Sequence, residues 1–186
     1  MKPQLLDAEF EVLRQTISRR GTARMILLPT TILGWSALAL LILLFSDLPV
    51  AALFPLAALV GGFEAIHALH AGAERIGRYL QVQYEADPGG PRWETTAMAV
   101  GPALPGGGID PLFSVIFAAT TLANMLLVLA PQPTPLELGV LGVLHALFLI
   151  RIVRARGAAA RQRAVELESF KTLLARERGP ADHPIP

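Results

Sequence analysis

Residues 49–69, PVAALFPLAALVGGFEAIHAL, decide the fold of this chain. A helix needs about 20 apolar residues to cross the hydrocarbon core of a bilayer, and this stretch has that length. Its one acidic residue, Glu64, lies toward the C-terminal end. The residues that follow, HAGAERIGRYLQVQYE, are charged and amphipathic. The stretch therefore predicts a transmembrane helix that continues out of the bilayer to about residue 85.

The rest of the chain repeats this pattern of long apolar stretches. Hydrophobic residues make up 53% of the sequence and charged residues only 17%, with a mean hydropathy of +0.49. Soluble domains have about 25% charged residues, so the composition favours a membrane protein. Three further spans are predicted, at 25–45, 111–130 and 135–153. The predicted fold is all-α and polytopic, with four transmembrane helices.

The connections predict how these helices pair. The connections at residues 46–48 and 131–134 are short, and proline residues lie within them or directly after them. Asp47 is placed to cap the second span. Each short connection implies an antiparallel hairpin. The Pro/Gly-rich stretch 86–110 predicts a long loop between the two hairpins, and its residues 93–100 form a short helix in this interpretation.

Lysine and arginine residues predict the orientation. Both short connections lack them, and all sixteen lie before the first span, between the hairpins, or at and after the end of the fourth span. Cations near helix ends stay in the cytoplasm. We therefore expect both termini and the middle loop to be cytoplasmic, in a bacterial-type inner membrane. The cations are Lys2, Arg14, Arg19, Arg20, Arg24, Arg75, Arg78, Arg92, Arg151, Arg154, Arg156, Arg161, Arg163, Lys171, Arg176 and Arg178.

Three segments on the predicted cytoplasmic side have helical amphipathic patterns. They are residues 5–20, the extension of the second span to about 85, and the basic segment 154–178. Such helices can pack together, lie on an anionic leaflet, or receive a partner. Mutual packing is the simplest of the three interpretations.

Four ionisable residues share one face of the helix that contains the second span. Glu64, His67, His70 and Glu74 follow helical spacing. At a rise of about 1.5 Å per residue, Glu64 lies roughly 22 Å from Pro49, within the inner leaflet. An intramembrane carboxylate needs a partner or a proton. Arg151 has nearly the same depth in the fourth span, so we expect a Glu64–Arg151 ion pair, with a Glu64–His67 contact as the alternative.

His145 is the deepest ionisable residue of the fourth span. In an antiparallel hairpin its expected neighbours are Thr120, Thr121 and Asn124 of the third span. Polar residues at such positions usually hydrogen-bond across helices and hold them together. The sequence thus predicts an intramembrane polar network comprising Glu64, His67, His145, Arg151, Thr120 and Asn124.

A metal or haem site is the sharper interpretation of the same residues. Glu64 and His67 have the Glu-x-x-His spacing of metal-binding bundles, and His67 and His70 have a His-x-x-His spacing that can also chelate a metal. A di-metal bundle needs a second such motif, which the chain lacks, and His145 has no histidine partner at its depth for haem. The sequence contains no cysteine, which excludes disulfides, thiolate metal sites and cysteine nucleophiles.

These features leave three functional hypotheses. The first is a non-enzymatic accessory or interaction subunit whose cytoplasmic helices contact another protein or a second copy. The second is a small proton, ion or solute transporter that uses Glu64, His67 and His145. The third is a metal- or haem-binding redox subunit. The lipid bilayer is the expected partner in all three hypotheses. The accessory-subunit and transporter hypotheses require no cofactor. Nothing in the sequence predicts nucleic-acid binding.

Overall fold

The computed structural model describes residues 3–85, 92–100 and 111–178, and within these ranges every regular element is helical. The α-helices are α1 (Pro3–Phe45), α2 (Leu53–Gln83), α3 (Trp93–Val100), α4 (Pro111–Leu129) and α5 (Pro135–Arg178), with a 3₁₀ turn at Pro49–Ala52 before α2. The predicted all-α fold is confirmed. The remainder of the predicted 86–110 loop, residues 86–91 and 101–110, lies outside the described residues.

Three of the helical stretches are long and apolar enough to cross a membrane: Asp7–Phe45, Pro49–Gln83 and Pro135–Ala155. The apolar helix within α4, Phe113–Leu129, is shorter. These three candidate spans are the features expected of a membrane protein. The arrangement of four spans as two antiparallel hairpins stays a prediction.

The long helices continue past the predicted ends of the spans. α1 includes both the predicted 5–20 and 25–45 segments, and it passes through Gly21 and Pro29 without a break. α5 likewise joins the predicted 135–153 span to the 154–178 segment as one helix. The expected segments are thus parts of continuous helices, because neither Gly21 nor Gly157 stands at a turn.

The two short connections are built differently from one another. The predicted cap by Asp47 is wrong: the residue before the 3₁₀ turn, Leu48, makes no side-chain cap, and its N–H donates to Oγ of Ser46 at 3.3 Å. Pro49 begins the turn and has no N–H to be capped. In the second connection Gln132 adopts a left-handed φ of 56°, in the turn that separates the end of α4 from Pro135.

Contacts divide the chain into two compact units. The apolar unit contains Thr22–His70 and Asp110–Gly157, and the charged unit contains Met1–Gly21, Ala71–Ile109 and Ala158–Pro186.

Phe63 is the centre of the apolar unit. Its ring is 1% exposed and lies 5.6 Å from that of Phe113, 5.4 Å from that of Phe117 and 5.7 Å from that of Phe148. These edge-to-face and stacked pairs add specificity to the burial of apolar area. Residues of α2, α4 and α5 therefore share one core, against which Trp35 of α1 also packs.

α1 and α2 approach each other closely at Gly62. A Cβ atom built on Gly62 would overlap the side chain of Thr31, whereas one built on the neighbouring Gly61 would meet nothing within 4 Å. The missing side chain at Gly62 therefore permits the contact between α1 and α2, as small residues commonly do between membrane helices.

The charged unit has an aromatic core of its own. Tyr79 lies 5.7 Å from the ring of Phe170 and 6.3 Å from that of Tyr84, while Tyr84 lies 5.2 Å from Phe10. The hydroxyl of Tyr79 donates to Glu9 at 2.9 Å. Segments of α1, α2 and α5 thus pack together here, which is the mutual packing that the amphipathic patterns favour.

Candidate functional site

Glu64, the acid within the second apolar stretch, is paired with an arginine. Nη2 of Arg151 on α5 donates to Oε2 of Glu64 on α2 at 2.8 Å. The guanidinium also lies over the ring of Phe63, with 5.7 Å from Cζ to the ring centroid. This is the ion pair that the depths of Glu64 and Arg151 predict. About two-fifths of each side chain is nevertheless exposed, 40% for Arg151 and 42% for Glu64.

The two histidines on the Glu64 face have different neighbours. His67 stacks on Phe63 with 6.0 Å between ring centroids and 6° between their planes. Nη1 of Arg24 donates to Nδ1 of His70 at 2.5 Å, a contact that requires a lone pair on that nitrogen. The face therefore places its histidines against an aromatic ring and an arginine.

Glu74, the last acid on the face, belongs to an ionic network of the charged unit. Arg78 is at its centre, with a side chain only 5% exposed, and it contacts Glu74 at 3.1 Å and Glu166 at 2.5 Å. Arg75 and Arg163 complete the network, at 2.9 Å from Glu166 and 3.2 Å from Glu74 respectively. A buried guanidinium with two carboxylate partners orders the helices that carry them.

The network sets the protonation of Glu166. Burial opposes the ionisation of this carboxyl, but hydrogen bonds from Arg78, Gln162 and Arg75 outweigh burial and lower the pKa of Glu166. The charge on Glu166 is therefore part of the packing between α2 and α5 in the charged unit.

A second polar network is buried in the apolar unit, around the side-chain amide of Asn124 on α4. Its Nδ2 lies 3.0 Å from Nε2 of His145 on α5 and donates to the carbonyl of Ala52 at 3.0 Å, while its Oδ1 accepts the indole N–H of Trp35 on α1 at 3.0 Å. Asn124 is fully buried and His145 is 4% exposed. One amide thus links α1, α4, α5 and the turn before α2.

The hydrogen bonds around His145 are consistent with a single tautomer. Nδ1 lies 2.7 Å from the carbonyl of Leu141, which can only accept, so Nδ1 carries the proton. Nε2 then accepts from Asn124, whose Nδ2 is oriented by Ala52 and whose Oδ1 is oriented by Trp35. The hydrogen bonds therefore fix the orientation of the imidazole between α4 and α5.

Thr120 and Thr121 take no part in this network through their hydroxyls. Thr120 donates to the carbonyl of Ile116 and Thr121 to that of Phe117, each at 2.7 Å and each within α4. Of the three neighbours expected for His145, Asn124 makes the hydrogen bond across helices. Serine and threonine hydroxyls in helices commonly bond the carbonyl four residues earlier, which explains the difference.

The geometry gathers no set of metal ligands. Within residues 3–85, 92–100 and 111–178, no group of three or more His, Asp or Glu side chains is arranged to hold a metal ion. Glu64, His67 and His70 share a helix face, but the contacts described above direct Glu64 to Arg151 and His70 to Arg24.

Comparisons with known proteins add no identity. No family model, curated protein or solved structure matches this chain.

A further polar contact of the charged unit fixes α3. Both oxygens of Glu85 accept backbone N–H groups at the start of this helix, from Glu94 at 2.7 Å and Thr95 at 2.6 Å. The carboxylate thus caps a helix that begins several residues later, in the position that the helix dipole favours. Burial and the adjacent Glu85 raise the pKa of Glu94, an effect that Arg14 partly offsets.

Several of these residues were absent from the sequence-based network. Trp35 is one of them. An indole N–H within an apolar span needs an acceptor, so the sequence does carry a signal that Trp35 belongs to a polar network. The Arg24–His70 contact joins residues whose depths could have been counted as they were for Glu64. Glu85 offers no such signal, because a carboxylate nine residues before the N–H group that it caps follows no local capping pattern.

Proposed function

We propose that this chain is a four-span inner-membrane protein with both termini and the α2–α4 connection in the cytoplasm. The length of α4 supports the fourth crossing: its 19 residues extend about 28 Å, close to the ~30 Å hydrocarbon core. The link from Asn124 to three other apolar segments supports insertion of α4 with them. The distribution of cations supports the orientation.

Within that arrangement the chain acts as a non-enzymatic accessory subunit that presents a helical surface to another protein. The observation that carries this proposal is the outer face of α5 between residues 165 and 176. Val165 is 66% exposed and Leu173 is 52% exposed on this face, whereas Glu166 and Phe170, on the adjoining side of the helix, contact the network and the aromatic core.

The two hydroxyls of this face are already hydrogen-bonded within α5. The hydroxyl of Ser169 donates to the carbonyl of Val165 at 2.8 Å, and that of Thr172 to the carbonyl of Glu168 at 2.9 Å. Covering these hydroxyls does not break a hydrogen bond to the protein, so they add little to the desolvation penalty of burying the face. Trp93, in the same unit, is 71% exposed, and tryptophan is enriched at the centres of protein interfaces.

The two alternative functions gain less support from the geometry. Transport through Glu64 and His145 requires side chains that are open to a passing ion or proton, and the contacts pair the first with Arg151 and the second with Asn124 and the carbonyl of Leu141. A Glu64→Gln variant that keeps its fold but loses a pH-dependent flux in liposomes would favour transport. Absorption spectra and metal analysis of the purified protein test the redox alternative directly.

Site-specific photo-crosslinking in intact cells tests the interaction proposal. A photoreactive residue at position 169 should yield one adduct of defined mass, and a Leu173→Asp change should abolish that adduct. The matched control is position 11 on α1, which is also exposed and belongs to the charged unit. A chain that forms no adduct at 169, or an equal one at 11, and runs as a monomer in detergent would refute the proposal.

A further inference from the structure

Arg151 has hydrogen-bonding capacity that Glu64 does not use. A guanidinium carries five N–H donors, and the ion pair with Glu64 is made through Nη2. The side chain remains 40% exposed although its aromatic contact with Phe63 covers part of it. The ion pair is therefore partly exposed, and the remaining N–H donors of Arg151 are available to a group outside the protein.

Arg154 adds a second cation on the same side of α5. Residues three apart on a helix lie on neighbouring positions of one face, with about 5–6 Å between their Cβ atoms. Arg154 is exposed, and no ion pair involving it is found among the described residues. Two guanidiniums and the single carboxylate of Glu64 leave this patch with a net positive charge.

The patch lies at the end of an exposed apolar strip. Leu147, Ile150 and Val153 of α5 are 56%, 46% and 70% exposed. An apolar strip on a candidate span is suited to acyl chains, and the cations that follow it are suited to a negatively charged head group. The combination matches one kind of molecule, an amphiphile with an anionic phosphate next to two hydrocarbon chains.

We propose that Arg151 and Arg154 bind the phosphate of an anionic phospholipid whose acyl chains lie along Leu147, Ile150 and Val153. Glu64 holds Arg151 in place by its ion pair and leaves its other donors for the phosphate. This proposal rests on α5 being a membrane span, as in the proposed function, and it is independent of any protein partner.

Native mass spectrometry of protein released from nanodiscs tests this site. The discs contain equimolar phosphatidylglycerol and phosphatidylcholine, and the retained lipids are counted. Wild-type protein should retain phosphatidylglycerol preferentially. Arg154→Gln should reduce that retention about fivefold, the effect of one cation at an anionic surface. Arg176→Gln, the same charge change near the end of α5, should leave retention unaltered.

Each other outcome would overturn the site. Equal retention of the two lipids, no effect of Arg154→Gln, or an equal effect of Arg176→Gln would show that these arginines do not select a lipid. Inorganic phosphate that competes as well as the lipid would show that the acyl chains contribute nothing. A protein recovered from the soluble fraction would instead contradict the membrane span, and with it the proposed function.

Discussion

Replacing Asn124 by leucine should destabilise the apolar unit by about 2–4 kcal/mol. The amide makes three hydrogen bonds, to Trp35, Ala52 and His145. Hydrogen bonds between membrane helices average about 0.6 kcal/mol and reach about 1.7, which gives roughly 2 kcal/mol for three. Leucine has the same branching but larger terminal groups, and it leaves the indole N–H and the imidazole Nε2 without partners; each such buried group costs about 1–3 kcal/mol.

Unfolding in mixed micelles of increasing denaturing detergent measures this loss, with Trp35 fluorescence as the reporter in a Trp93→Phe background. The matched control is Thr120→Val, which removes a hydroxyl that bonds only within α4. It should change stability by about 0.5 kcal/mol or less. If Asn124→Leu is as stable as Thr120→Val, the amide does not join the helices and the reasoning fails.

The remaining predictions concern three other contacts. Exchanging the partners in a Glu64→Arg/Arg151→Glu double variant should recover most of the stability that each single change removes; a double variant no better than the worse single one would exclude the pair. Gly62→Ala should destabilise by about 1–3 kcal/mol while Gly61→Ala should be neutral, and equal effects would argue against the close approach. Because its folded pKa is lowered from 4.5, ionised Glu166 stabilises the charged unit above that pH, and this contribution is lost as pH falls through the lowered pKa. Glu166→Gln should therefore be less stable at neutral pH and show a shallower acid loss by circular dichroism, whereas a parallel pH profile would contradict the assignment.

The sequence predicts well how long the apolar helices are and how far along each helix a given residue lies. Apolar run lengths locate the helices, and counting residues along two spans brings Glu64 to the level of Arg151, where the structure pairs them. Depth is readable because each helical residue adds a fixed rise. The same count places Asn124 opposite His145, and these two side chains meet.

The offset between neighbouring helices and the contacts made by tertiary packing cannot be predicted from the sequence. Thr120 and Asn124 lie one turn apart on the same face of α4, so which of them meets His145 depends on the offset of α4 along α5, and packing of α4 around Phe63 decides that offset. Glu85 lies nine residues before Glu94 and caps α3 through a tertiary contact. These contacts arise from tertiary packing, for which a single sequence carries no periodic signal.

Cysteine accessibility mapping tests the membrane topology most directly, because the chain has no cysteine of its own. Single cysteines at Ser46, Thr134, Ser18 and Ser169 are treated in intact cells with a membrane-impermeant maleimide. The account predicts labelling of Ser46→Cys and Thr134→Cys from outside, and labelling of the other two only after the inner membrane is opened. Labelling of Ser18→Cys or Ser169→Cys in intact cells, or protection of Thr134→Cys, would contradict it.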